Sequence, residues 1–159
     1  MSAREELARA QAELLRALGE GGPVPEGFDA ERLRATAEAL VAKRRRQVER
    51  AWPGLVAVLG ERFAGDFEAW AREHPLRGVE PHPRVEARRF AEALRATGRL
   101  PPLAEGEVAD FDLRWRLTRE GGLAARRGVG WALVHEVAGR RVLRVRLPGG
   151  RVWGWRLPW

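Results

Sequence analysis

A chain of 159 residues, 45% hydrophobic and 32% charged, is long enough for one domain with a small annex and a workable core. It has no cysteine, which excludes disulfides, thiolate zinc sites and cysteine nucleophiles together. No window approaches the roughly 18 uninterrupted apolar residues of a membrane span, and the charged opening MSAREELARAQ is unlike a signal peptide, so a soluble cytoplasmic protein with no membrane partner is expected. The formal charge of +7 is unevenly spread: residues 1–120 carry 21 Lys+Arg against 21 Asp+Glu, whereas 121–159 carry 8 Arg against Glu136 alone. That asymmetry argues for two physically different parts, 1–120 and 121–159.

Taken in order, Ser2 and Glu5 fit a capping box, after which Leu7, Ala10, Leu14, Ala17 and Leu18 fall on one face of a first helix ended by Gly19. The stretch Asp29–Pro75 then holds three helix signals. Asp29 is a good N-cap for the first of them, whose buried face reads Leu33, Ala37, Leu40, Val41, Val48 and Trp52. The cations Lys43, Arg44, Arg45 and Arg46 lie midway and cover every side of that helix, so one must approach the apolar stripe; Arg45, at helical spacing from Val41 and Val48, is expected to be that residue. Pro53 opens a short helix, apolar nearly all round, that Gly60 stops. Phe63, Phe67 and Trp70 set three rings on one face of the next, read as core. A fifth helix carries Val85, Phe90 and Leu94 inward to Gly98, and a sixth, from about Ala104 to Leu117, carries Val108, Phe111 and Trp115.

The period then changes from helical to alternating. Trp131, Leu133, His135 and Val137 alternate with smaller or polar residues, Leu143, Val145 and Leu147 with Arg144 and Arg146, and Trp153, Trp155, Leu157 and Trp159 with Gly154 and Arg156. Ala138-Gly139-Arg140 and Pro148-Gly149-Gly150 are the turns. The fold expected is α+β: an all-α bundle of about six helices over 1–120, followed by a three-stranded antiparallel meander in 121–159 with one apolar face and one arginine-studded face. Three strands are near the minimum for stability, so the sheet should lean on the helices or on another protein.

Catalysis is poorly provided for. Ser2 is better explained as a cap, no Gly-rich phosphate loop follows a strand, and His74, His82 and His135 share no metal-ligand spacing. Neither a metal nor another cofactor is expected, nor an active site. Two binding features remain. Lys43–Arg46 could contact phosphates, or be a solvated helix face partly paired with Glu38 and Glu49. The sheet, with Arg144, Arg146, Arg151 and Arg156 interleaved with Trp153, Trp155 and Trp159, suits a protein or peptide interface and also nucleic acid; the other reading packs the tryptophans on the helices and leaves the arginines in water. A free strand edge could also accept an extended peptide.

The helical part resembles the domain that opens the HvfC/BufC-type proteins, a family once labelled DNA-binding, with MbnC-type partner proteins as more distant relatives. The residues that carry the resemblance are Arg32-Leu33, Trp52-Pro53, Val56, Leu59-Gly60, Phe63, Phe67, Trp70, His74-Pro75, Phe90, Leu94, Pro102-Leu103-Ala104, Phe111-Asp112 and Trp115. It spans roughly residues 5–117. Where the family often has Tyr-Arg, this chain reads Arg34-Ala35-Thr36-Ala37, and its C-terminal part is shorter, as in a short actinobacterial-type branch. The resemblance implies a non-catalytic partner of a multinuclear-iron TIM-barrel oxidase that modifies cysteines of ribosomally made peptides, the partner helping to recognise the precursor's leader segment. The alternative is a nucleic-acid-binding regulator that uses Lys43–Arg46 or the sheet.

Overall fold

The computed structural model describes residues 2–20, 22–25, 27–76, 80–135 and 140–158. In chain order the elements are α1 (Ala3–Glu20), α2 (Ala30–Ala51), α3 (Pro53–Leu59), α4 (Arg62–Glu73), α5 (Pro83–Ala96), α6 (Pro102–Arg114), β1 (Trp115–Leu117), β2 (Leu123–Ala125), β3 (Gly130–His135), β4 (Arg141–Arg146) and β5 (Val152–Arg156). The α+β class is as expected: six helices precede a three-stranded antiparallel sheet of order β3-β4-β5. By contacts the chain divides into two compact units, residues 1–47 with 64–80, and residues 48–63 with 81–159.

In the first unit the caps act as the sequence predicts. The Ser2 amide donates to the Glu5 carboxylate and the Glu5 amide to the Ser2 hydroxyl, and the Asp29 carboxylate accepts from the Glu31 amide at 2.9 Å. The apolar face of α1 is covered only towards its end, where Ala17 is buried; Leu7 is exposed. On the part of α2 in this unit Leu40 is exposed; the fully buried Val48 belongs to the second unit. Phe67 and Trp70 of α4 are buried with ring centroids 5.5 Å apart, and Trp70 stacks on His74 at 4.8 Å.

In the second unit α6 is the central element. Trp52, just before α3, stacks on Phe111 at 5.2 Å and donates its indole N–H to Glu107 at 2.6 Å. Gly54 is needed beside it, because a Cβ there would run into the Glu107 carboxylate. Phe63, Phe90, Val85, Leu94 and Val108 complete this core, and Phe63 meets Phe90 edge-on at 6.0 Å. The other side of α6 carries the sheet.

The sixth helix is shorter than expected. It ends at Arg114, and residues 115–117 form β1, which pairs with β2 in the register Trp115–Ala125 and Leu117–Leu123. The turn after Leu117 explains the change: Thr118 accepts from the Gly121 amide through its carbonyl and from the Gly122 amide through its hydroxyl, while Gly121 takes φ 81°. A Thr-x-x-Gly-Gly turn closes a hairpin at a cost in backbone strain that only glycine avoids. The turn at Pro148-Gly149-Gly150 forms as expected, with the Gly150 amide on the Leu147 carbonyl and the Leu147 amide on that of Arg151. Of the other expected turn, Ala138 and Gly139 lie outside the described residues.

Candidate functional site

The sheet has the two unlike faces the alternation predicts, but their placement is the reverse of a greasy face on helices and a charged face in water. Register puts Gly130, Arg146 and Val152 in one row, Ala132, Arg144 and Gly154 in the next, and Val134, Val142 and Arg156 in the third. This is the face on α6. Small residues let the neighbours approach closely: a Cβ on Gly130 would stand 3.3 Å from the Leu113 side chain of α6, and one on Gly154 3.4 Å from the Arg144 side chain. Arg144 lies over Gly106 of α6 and pairs with Asp110 at 3.2 Å. Arg146, 3% exposed, donates to the carbonyls of Arg126 at 2.7 Å and Arg127 at 2.8 Å. Its Nε is buried without a hydrogen-bond partner. Arginine tolerates this because its stem is apolar and its fork meets carbonyls and a carboxylate at once.

The opposite face holds Trp131, Val145 and Trp153 in one row and Leu133, Leu143 and Trp155 in the next. Trp131 is 72% exposed, Trp153 51% and Trp155 49%, and the last two rings stack at 6.5 Å.

At one side of the sheet β3 is an edge strand. Beside it a groove of about 1350 Å³ runs between β3, the end of α6 and the β1–β2 hairpin, lined by Leu113, Ala124, Arg127 and Ala132 among others. The acids on its wall are engaged. Arg95 pairs with Glu105 at 2.6 Å and Arg88 with Asp112 at 2.8 Å. The bond to Glu105 raises the Arg95 pKa; burial pulls that of Arg88 down, but hydrogen bonds to Asp112 and Glu92 outweigh it and leave it raised. Arg116, Arg126 and Arg127 add positive charge along the hairpin side.

Of the sequence-predicted interface residues, Arg151, Trp153 and Trp155 belong to the exposed side by alternation, whereas Arg144 and Arg146 are structural, and Arg156 shares their face at the sheet's end. Trp159 lies outside the described residues. Sequence reasoning did not single out Trp131, Leu133, Leu143, Val145 and Arg141, because they join the site only through cross-strand pairing; the alternation was the available signal.

The basic run on α2 is also largely used by the fold, and Arg44 rather than Arg45 is the buried cation. At 5% exposure Arg44 donates to the carbonyls of Ala71 at 2.9 Å and His74 at 3.0 Å, with its guanidinium 5.9 Å from the Trp70 ring centroid. These carbonyls end α4, where a cation satisfies acceptors the helix leaves open. Lys43 pairs with Glu80 at 2.9 Å and Arg45 with Glu68 at 3.2 Å. The bond from Lys43 holds Glu80 below the usual carboxylate range.

Two of the histidines have local roles, and the third, His135, lines the groove. His82 accepts from the Arg84 amide at the start of α5, His74 lies 2.8 Å from the Trp70 carbonyl, and His135 ends β3. Among the described residues no cluster of His, Asp or Glu could hold a metal ion, and no helix is long and apolar enough to cross a membrane.

Residues 8–96 match the family described as SCO6045-like, C-terminal domain, and the chain belongs to that family. A relative from Streptomyces avermitilis, described as a UPF0276 protein, is 44% identical over 119 residues, which are 75% of this chain and 23% of the relative. The chain therefore spans about a quarter of that relative's length. No catalytic family is indicated by these matches. No solved structure matches.

Proposed function

We propose that this chain is a non-catalytic partner module of the HvfC/BufC type, which helps a multinuclear-iron TIM-barrel oxidase recognise the leader segment of a ribosomally made peptide, and that the larger part of the UPF0276 relative is an enzyme of this kind. The observation that carries this reading is the unpaired edge of β3 opening on the groove. An edge strand offers a row of backbone donors and acceptors to an extended chain, and the arginines beside it favour an acidic segment.

The partner half of the reading draws on the relative. There, more than three-quarters of the polypeptide lies outside the segment matched by this chain, so a module of this kind is covalently joined to a much larger body. Two side chains suited to catalysis have structural explanations here: Ser2 caps α1, and His82 caps α5.

Co-expression with the UPF0276-family chain of the same genome, followed by size-exclusion chromatography, tests the reading. A co-eluting complex that binds a labelled leader segment of its precursor is the expected result. Separate elution at micromolar concentration would refute it.

A further inference from the structure

The exposed face of the β3–β4–β5 sheet borders the groove that carries the peptide reading along β3, where Trp131 and Leu133 line both, and extends beyond it over β4 and β5, where Leu143, Val145, Trp153 and Trp155 do not line it. Its central rows put three tryptophans, two leucines and a valine together on rigid, paired strands, an apolar surface of the kind that marks interaction sites. Cations stand at both ends. Arg141 is paired with His135 next to the Leu133–Leu143–Trp155 row, and Arg151 follows Trp153 by alternation at the opposite end. Residues 140–159 contain no acid.

From these observations the geometry points to the tryptophan face as the seat of the larger UPF0276-type body, through a surface of that body that is apolar at its centre and acidic at its rim. The inference rests on the partner-module reading and gives it a second surface, which adjoins the groove at β3 and is centred on β4 and β5. Three features select a protein occupant. Leucine and valine fill the space between the indoles, giving a continuous apolar floor rather than isolated platforms for bases. Tryptophan and arginine are the side chains that dominate interface energetics. The relative shows that a much larger body accompanies this module on one polypeptide.

The full chain and the UPF0276-family chain of its genome are purified, and their affinity is measured by calorimetry. Trp153→Ser with Trp155→Ser should weaken binding on the order of 100-fold. Arg141→Glu with Arg151→Glu should weaken it about tenfold, chiefly through a slower, salt-sensitive association. Circular dichroism and thermal unfolding check that the variants fold; should the double tryptophan variant not fold, Trp153→Ser, at a half-exposed ring that does not line the groove, should by itself weaken binding about tenfold. Wild-type binding with a loss below tenfold in the double variant, or below threefold in Trp153→Ser, overturns the assignment of this face and leaves the partner-module reading standing. No wild-type binding, or no such chain in the genome, overturns both. Tighter binding of a 20-nucleotide oligo(dT) or of phosphatidylglycerol vesicles through the same tryptophans would give the face to that ligand and overturn the proposal.

Discussion

On one side of the β3–β4–β5 sheet two arginines are drawn inward against α6, and on the other three tryptophans stand in water. A scale of hydrophobicity would assign these sides the other way round. The difference lies in what each side meets. The α6 face has Gly130 where the helix side chain of Leu113 comes close and Gly154 beside the Arg144 stem, together with fixed acceptors, the Asp110 carboxylate and the Arg126 and Arg127 carbonyls, that receive the guanidinium groups. Three indoles in place of those small residues would hold the helix off. Burial here follows from shape and from satisfied hydrogen bonds before it follows from polarity.

If that account holds, stability and binding should divide between the faces. The largest effect on stability is expected from Arg146→Ala, which leaves two inward carbonyls unpaired and a void beside Gly130; a loss of about 2–4 kcal/mol in chemical denaturation is expected. A loss below about 1 kcal/mol would break the comparison. Next comes Ala132→Leu, a larger side chain placed against α6, which should cost about 1–3 kcal/mol by overpacking. A double-mutant cycle on Arg144 and Asp110 should give a coupling of about 1 kcal/mol, the value for a partly exposed pair. Trp153→Ser should cost about 1 kcal/mol or less in stability, since half of its surface is already in water.

The smallest effect is electrostatic and lies away from the sheet. Glu80 is held below its ordinary pKa by its bond from Lys43, and Glu92 by its bond from Arg88. A carboxylate with a depressed folded pKa adds stability that is present above the unfolded value and disappears as pH falls through the folded one. Thermal unfolding should therefore be insensitive to these groups near neutrality, and stability should begin to fall as pH drops below about 4.3. Glu80→Gln and Glu92→Gln together should flatten that fall.

Much of the fold could be read from residue patterns. Ser2, Asp29, Pro53, Gly60 and Gly98 mark helix ends, and these are local signals that need only neighbouring residues. The β1–β2 hairpin was missed because Val108, Phe111 and Trp115 keep helical spacing past the point where the Thr118-to-Gly122 turn takes over. The choice of Arg44 over Arg45 for burial depends on carbonyls 27 and 30 residues away, which a helical wheel does not contain. The site was half legible for the same reason. Alternation separates tryptophan from arginine along β5, but which side meets α6 is decided by Gly130 on β3 and by Arg144 on β4, which lies over Gly106, and only register brings them to one face.

The bond pair from Arg146 to Arg126 and Arg127 also has a mechanical consequence. It is a strut from the middle strand of one sheet to the chain just beyond the other, so its length sets the width of the channel between β3 and the hairpin. Lysine at this position has the charge but not the fork, and it can hold one end of the strut by a single point. Arg146→Lys should leave the helices untouched while amides of β2 and the Arg126–Arg127 segment exchange faster with solvent deuterium. The aperture is then a property of one side chain, adjustable without rebuilding the sheet.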